Sequence, residues 1–121
     1  MSDHRPRPLA NAVALELERY TASAAMGDTG AAWWALERAH ILSQPALALH
    51  FRVHCVMLAY AVRTLDPVEA IGQTARLLLA PLGDLTGRTP TGNTGRARVS
   101  AFARMPMPAD LRSIIDTADQ R

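Results

Sequence analysis

The chain has no lysine, a single cysteine and only two each of phenylalanine, tyrosine and tryptophan among its 121 residues. With Cys55 alone, no internal disulfide can form. A reducing, cytoplasmic setting is the natural expectation for such a chain. No run of roughly 18 uncharged apolar residues occurs, so no membrane helix is expected. The longest candidate, Val53 to Val62, is too short. The opening segment Met1 to Pro8 is polar and leads into no apolar signal core, so it does not read as an export signal. All thirteen basic residues are Arg, and the net charge is only +2. The arginines are scattered, apart from Arg5/Arg7 and Arg96/Arg98. With neither a basic stripe nor a recognisable module, nucleic acid is not an expected partner. Ser43 and Ser100 have no predictable link to a base, so no Ser/His/Asp arrangement is expected.

What is present favours helix. Hydrophobic residues make up 49% and charged residues 20%, an ordinary globular balance. Alanine and leucine, both good helix formers, dominate. The length suits one domain spanning residues 1–121, with a bundle over about 8–82 and a C-terminal extension over 83–121.

Pro8 opens a first helix that runs to about Ala25 and stops at Gly27. Its stripe is Leu9, Val13, Leu17, Tyr20 and Ala24. Asp28 or Thr29 caps a second helix reaching about Gln44, where Pro45 breaks it. A third runs from about Ala46 to Thr64. Asp66-Pro67 is an N-cap followed by Pro at the first helical position, opening a fourth helix to about Leu82. Gly83, Gly87, Pro90, Gly92, Asn93 and Gly95 then mark a loop. Met105-Pro106-Met107-Pro108 precedes a short helix whose apolar face is Leu111, Ile114, Ile115 and Ala118. The expected fold is all-α: a four-helix antiparallel bundle with a Gly/Pro-rich loop and a short C-terminal helix.

The chemistry-bearing residues lie on faces that should point inward. Each helical residue advances roughly 100° around the axis. On the third helix, Arg52 and Arg63 share a side, and His50, His54 and Met57 fall roughly opposite. Two His at i and i+4 can grip one metal ion. The rest of that helix is apolar nearly all round, so Cys55 is expected as a largely buried thiol. On the second helix, Glu37, His40 and Gln44 sit within the face defined by Trp33, Trp34, Leu36 and Ile41. Glu37-Arg38-Ala39-His40 has the Glu-x-x-His spacing of inward ligands in carboxylate-bridged bundles. One ring of the Trp33-Trp34 pair should be core and the other surface. Glu16 borders the apolar stripe of the first helix.

Buried imidazoles and carboxylates must be hydrogen-bonded, paired or coordinated. The candidate metal ligands are therefore His40, His50, His54 and Glu37, with Glu16 in addition. Such a set suits a transition-metal ion: zinc, iron, manganese or copper. The competing reading is a metal-free structural network of His, Glu and Gln. In that case the chain would be a non-catalytic interaction module, homodimeric through the small-residue stripe Ala32, Ala35, Ala39 and Ser43. On the fourth helix, Glu69, Gln73 and Arg76 read as a solvated face, with Ile71, Ala75, Leu78 and Leu82 turned inward. The alternative is that Glu69 turns to a partner or completes a site. Gly92-Asn93-Thr94-Gly95-Arg96 lacks phosphate-loop spacing and reads as a turn needing positive φ.

Four stretches carry a resemblance: Ala35 to Gln44, His50-Phe51-Arg52-Val53-His54, Gly72-Gln73-Thr74-Ala75-Arg76 and Pro90 to Gly95. Together they resemble a signature of an uncharacterised bacterial family of short helical proteins, known as a domain of unknown function. The resemblance covers roughly Ala31 to Leu111 and implies no established activity. It places such chains near metal-resistance genes in some bacteria, which would fit a metal site. Ferritin-like carboxylate proteins are a looser likeness. This chain has one Glu-x-x-His rather than two, and its third helix offers His rather than Glu.

Overall fold

The computed structural model describes residues 8–86, 93–97 and 105–119, with side chains described for 8–79, 93–97 and 105–118. Among these the chain is all-α, with five helices and no strands. They are α1 (Pro8–Ala25), α2 (Thr29–Ser43), α3 (Leu47–Arg63), α4 (Pro67–Thr86) and α5 (Ala109–Asp119). Arg5, Arg7, Gly87, Pro90, Gly92, Arg98 and Ser100 lie outside the described residues.

The helix ends follow from local chemistry. Gly27, at φ +74°, terminates α1 in the left-handed region. The Asp28 carboxylate accepts from the Ala31 N–H at 3.0 Å and caps α2. Asp66 does the same for the Glu69 N–H at 3.2 Å, with Pro67 at the first position of α4. Helix α4 runs past the expected end at Leu82 to Thr86.

Helix α1 packs on α2, α2 on α3 and α3 on α4, while α5 lies across α1 and α2. Val13, Trp33, Leu36, Leu42, Val53, Met57 and Leu111 form the core. Fully burying a side chain of this size contributes roughly 1.5–3 kcal/mol. Tyr60 ties the helices together, with its ring edge-on to Tyr20 at 5.1 Å and to Trp33 at 5.3 Å. Trp34, as expected of the second ring, is exposed, with the Arg38 guanidinium over it. No helix among the described residues is long and apolar enough to cross a membrane.

Three expectations are corrected. Helix α4 is turned the other way: Glu69 and Gln73 are fully buried, while Ile71 and Leu78 stand 71% and 78% exposed. The inward polar face is held by a hydrogen-bond network with Gly95, Arg96 and Ala97. Cys55 is exposed, because the buried arc of α3 is narrower than its composition suggests. The stripe Ala32, Ala35, Ala39 and Ser43 is buried within the chain and is not available to a second copy. Its small side chains serve close contact, as read, but the contact is internal.

Candidate metal centre

His40 comes from the last turn of α2, and His50 and His54 come from successive turns of α3. The short α2–α3 connection brings these faces together, and all three rings are buried. Their Nε2 atoms converge: 3.1 Å between His40 and His54, 3.1 Å between His40 and His50, and 3.0 Å between His50 and His54. The three form a group whose ligand atoms all lie within 4.8 Å of one another.

The second ring nitrogens fix the tautomers. His40 Nδ1–H donates to the Asn93 carbonyl at 2.6 Å. A carbonyl only accepts, so the neutral His40 ring carries its proton on Nδ1 and leaves Nε2 a bare lone pair. His54 Nδ1 meets Gln73 Oε1 at 2.7 Å. The amide of Gln73 is oriented by its other end, where the NH2 group donates to Gly95 O at 2.7 Å and Glu69 Oε2 at 3.2 Å. The Gln73 atom facing His54 is therefore the acceptor, and His54 likewise has its proton on Nδ1. Two lone pairs thus confront each other across 3.1 Å. A proton on His50 Nε2 could serve only one of them at a time.

Both rings are neutral at ordinary pH. Burial holds His40 well below the usual imidazole range, and the neighbouring His54, His50 and Arg76 push it the same way. Burial also brings His54 down to about 4, against its hydrogen bond to Gln73, which acts upward. The confrontation is therefore not relieved by protonating these rings near neutrality.

A supporting shell extends from Gln73. The Glu69 carboxylate, fully buried on α4, accepts from Gln73, from the Ala97 N–H at 3.2 Å and from Arg96 Nε at 2.5 Å. Arg96 in turn reaches Glu37 Oε1 at 3.4 Å and lies 3.8 Å over the Trp33 ring. Segment 93–97 is thereby fastened to α2 and α4 at once. Its packing also needs two glycines, one within the segment and one on α4. Gly95, at φ +80°, presses on His40 so closely that a Cβ would stand 2.5 Å from the ring carbon Cδ2. Gly72 gives Ala97 a similar close approach on α4. The positive φ anticipated for this turn is therefore present, at Gly95.

Of the five expected ligands, the structure brings together His40, His50 and His54. Glu37 does not join them. It is partly exposed and bound to Arg96, and burial raises its carboxyl above the usual range despite that arginine. Glu16 does not join them either. Its Oε1 accepts from Arg19 at 2.9 Å and from Arg38 at 3.0 Å, and Arg38 also binds Asp110, linking α1, α2 and α5. Gln73 and Asn93, which orient the imidazoles, were not placed at the site by the sequence, and Glu69, which holds Gln73, was placed there only as the alternative to a solvated face. The one signal for them was Glu69 and Gln73 at i, i+4 on α4, set against a stronger apolar face.

A family model described as Protein of unknown function (DUF3703) matches residues 7–115, and the chain belongs to that family. No curated protein and no solved structure matches it.

Proposed function

We propose that this DUF3703 chain binds one transition-metal ion through His40, His50 and His54, in a storage, sensing or minor catalytic role. The observation that carries this reading is the pair of bare Nε2 lone pairs on His40 and His54, 3.1 Å apart in a buried site. Without a cation between them, that contact is repulsive. With one, each Nδ1 hydrogen bond becomes the outer partner that orients a metal-bound imidazole and raises its basicity. A purely structural His/Glu/Gln network gives no reason for lone pairs to be aimed at one another.

The spacing also bears on the coordination. At ordinary metal–nitrogen distances of about 2.0–2.1 Å, nitrogens so spaced subtend roughly 90–100° at the ion. Three ligands at that angle occupy one side of the ion and leave a position for water or another small ligand. Zinc, iron, manganese and copper all accept such imidazole sets. In this reading Glu37 acts at a distance, through Arg96 and Glu69, and Glu16 serves the helix contacts. The first four helices are taken as the antiparallel bundle that their short connections suggest.

The test is elemental analysis of protein purified without a His tag and incubated with each of the four metals. One tightly held ion per chain is expected. It should vanish in His54→Ala while helical circular dichroism persists. A parent chain that retains none of the four metals after desalting would overturn the proposal.

A further inference from the structure

His40, His50 and His54 are 3%, 7% and 2% exposed, so an ion cannot reach them while every wall of the centre stays in place. Three of those walls are the helices α2, α3 and α4, each held by its own backbone bonds. The remaining wall among the described residues is segment 93–97, which is not helical. It lies directly on a ligand atom: a Cβ at Gly95 would stand 2.8 Å from Nε2 of His40. Displacing Gly95 therefore uncovers the nitrogen that the ion must meet.

Outside this segment is a hollow of about 130 Å³, lined by Glu37, Arg38 and Ile41 of α2, by Thr94, and by Met105 and Pro106. Its place relative to the centre follows from the chain. Glu37 and Ile41 flank His40 on α2, the first one turn before it and the second directly after. Thr94 stands between Asn93, whose carbonyl holds His40 Nδ1, and Gly95, which covers His40 Nε2. The chain at Thr94 and Gly95 therefore stands between the hollow and His40.

The hollow offers two oxygen ligands. The Thr94 hydroxyl is buried and meets no hydrogen-bond partner. A buried hydroxyl left unmet costs stability, and a valine of the same shape would avoid that cost. The second ligand is the half-buried Glu37 carboxylate, which accepts from Arg96 at 3.4 Å, while Arg96 makes its closer bond to Glu69. The arginines of this network are matched by other acids: Arg19 by Glu16, Arg38 by Asp110 and Arg96 by Glu69. Among these groups Glu37 is the negative charge left over, and such an excess at the mouth of a cleft attracts a cation.

The geometry points to this hollow as the port through which a divalent transition-metal ion enters, with Glu37 and Thr94 as its transient oxygen ligands. The inference rests on the metal reading of the three histidines. The ion pauses at the Glu37 carboxylate and the Thr94 hydroxyl, segment 93–97 lifts at Gly95, and the ion passes to His40 Nε2. Glu37 does not touch the seated ion. A group met only on the way lowers the barrier to entry and to exit alike. It changes both rates by the same factor and leaves the affinity as it was, whereas a ligand or an orienting residue changes the affinity itself.

Stopped-flow uptake and chelator-driven release, in the full chain and with whichever of the four metal ions the parent retains, test this. Glu37→Gln should slow uptake and release together, several-fold, with the dissociation constant little changed. Thr94→Val, which alters no charge, should do the same. The melting temperature of its metal-free form should be no lower than the parent's, because no hydrogen bond is lost. Added salt should slow uptake by the parent and affect Glu37→Gln less. Parent-like rates in either variant would overturn the port while leaving the histidine site standing. So would faster release at unchanged uptake in Glu37→Gln, which would make Glu37 a support of the seated ion. A parent that retains no metal overturns the histidine reading and the port with it.

Discussion

His40 and His54 point their Nε2 atoms at each other across 3.1 Å, while each ring spends its proton on the opposite side, on Asn93 O and Gln73 Oε1 respectively. One ring belongs to α2 and the other to α3, and the groups that orient them come from segment 93–97 and from α4. The centre therefore draws on four parts of the fold.

Removing the partner of His54 should loosen the centre without removing a ligand. Gln73→Leu deletes the acceptor for Nδ1–H and the donor to Gly95 O and Glu69. Metal affinity measured by competition with a chelator should fall by roughly 10–100-fold, the usual cost of losing an outer-shell partner. Unchanged affinity would mean that Gln73 does not set the orientation of His54.

Acidification should destabilise the metal-free protein in a defined window. An unfolded histidine titrates near 6.5, whereas folded His54 titrates near 4. Above the unfolded value both states are neutral and the stability is whole. As pH falls from there toward the folded value, the unfolded chain takes up a proton that the folded chain refuses. Stability should drop by up to ~1.4 kcal/mol per pH unit, about 3 kcal/mol across the window. His40, shifted the same way, adds to the loss. Urea midpoints at successive pH values would reveal it, and a flat profile would contradict the burial of neutral rings.

Gly95→Ala should harm both stability and binding. Its φ of +80° strains any L side chain, and the new methyl would meet the His40 ring. A loss of about 1–3 kcal/mol in unfolding free energy is expected, together with weaker metal binding, because His40 must move. A variant as stable as the parent would show that the turn yields freely.

Much of this was legible in the sequence, and each failure has its own physical cause. Pro8, Asp28 and the Asp66-Pro67 pair mark helix starts by local chemistry, and the helices begin where those signals stand. His40, His50 and His54 could be placed together because helical spacing and a short turn are enough to predict it. Helix α4 was read backwards because hydrophobic periodicity ranks Ile71 and Leu78 above Glu69 and Gln73 as core residues. Spacing along one helix carries no trace of Arg96, Ala97 and Gly95, which satisfy those polar groups from over twenty residues away. The second error, at Cys55, came from taking an apolar helix to be buried all round. It has a simple check: the exposed thiol should react rapidly with a labelling reagent in the native protein. Labelling only after unfolding would contradict its placement.

The central claim is that two buried lone pairs await a cation, and a long-range proton–nitrogen NMR spectrum of the metal-free protein reads them directly. It distinguishes a protonated from a bare ring nitrogen at each histidine. The account predicts His40 and His54 both protonated on Nδ1 and bare on Nε2 at neutral pH. One equivalent of Zn2+ should then shift the Nε2 signals of His40, His50 and His54 together. A proton found on Nε2 of His40 or His54, or three Nε2 signals unmoved by excess Zn2+, Fe2+, Mn2+ and Cu2+, would contradict it.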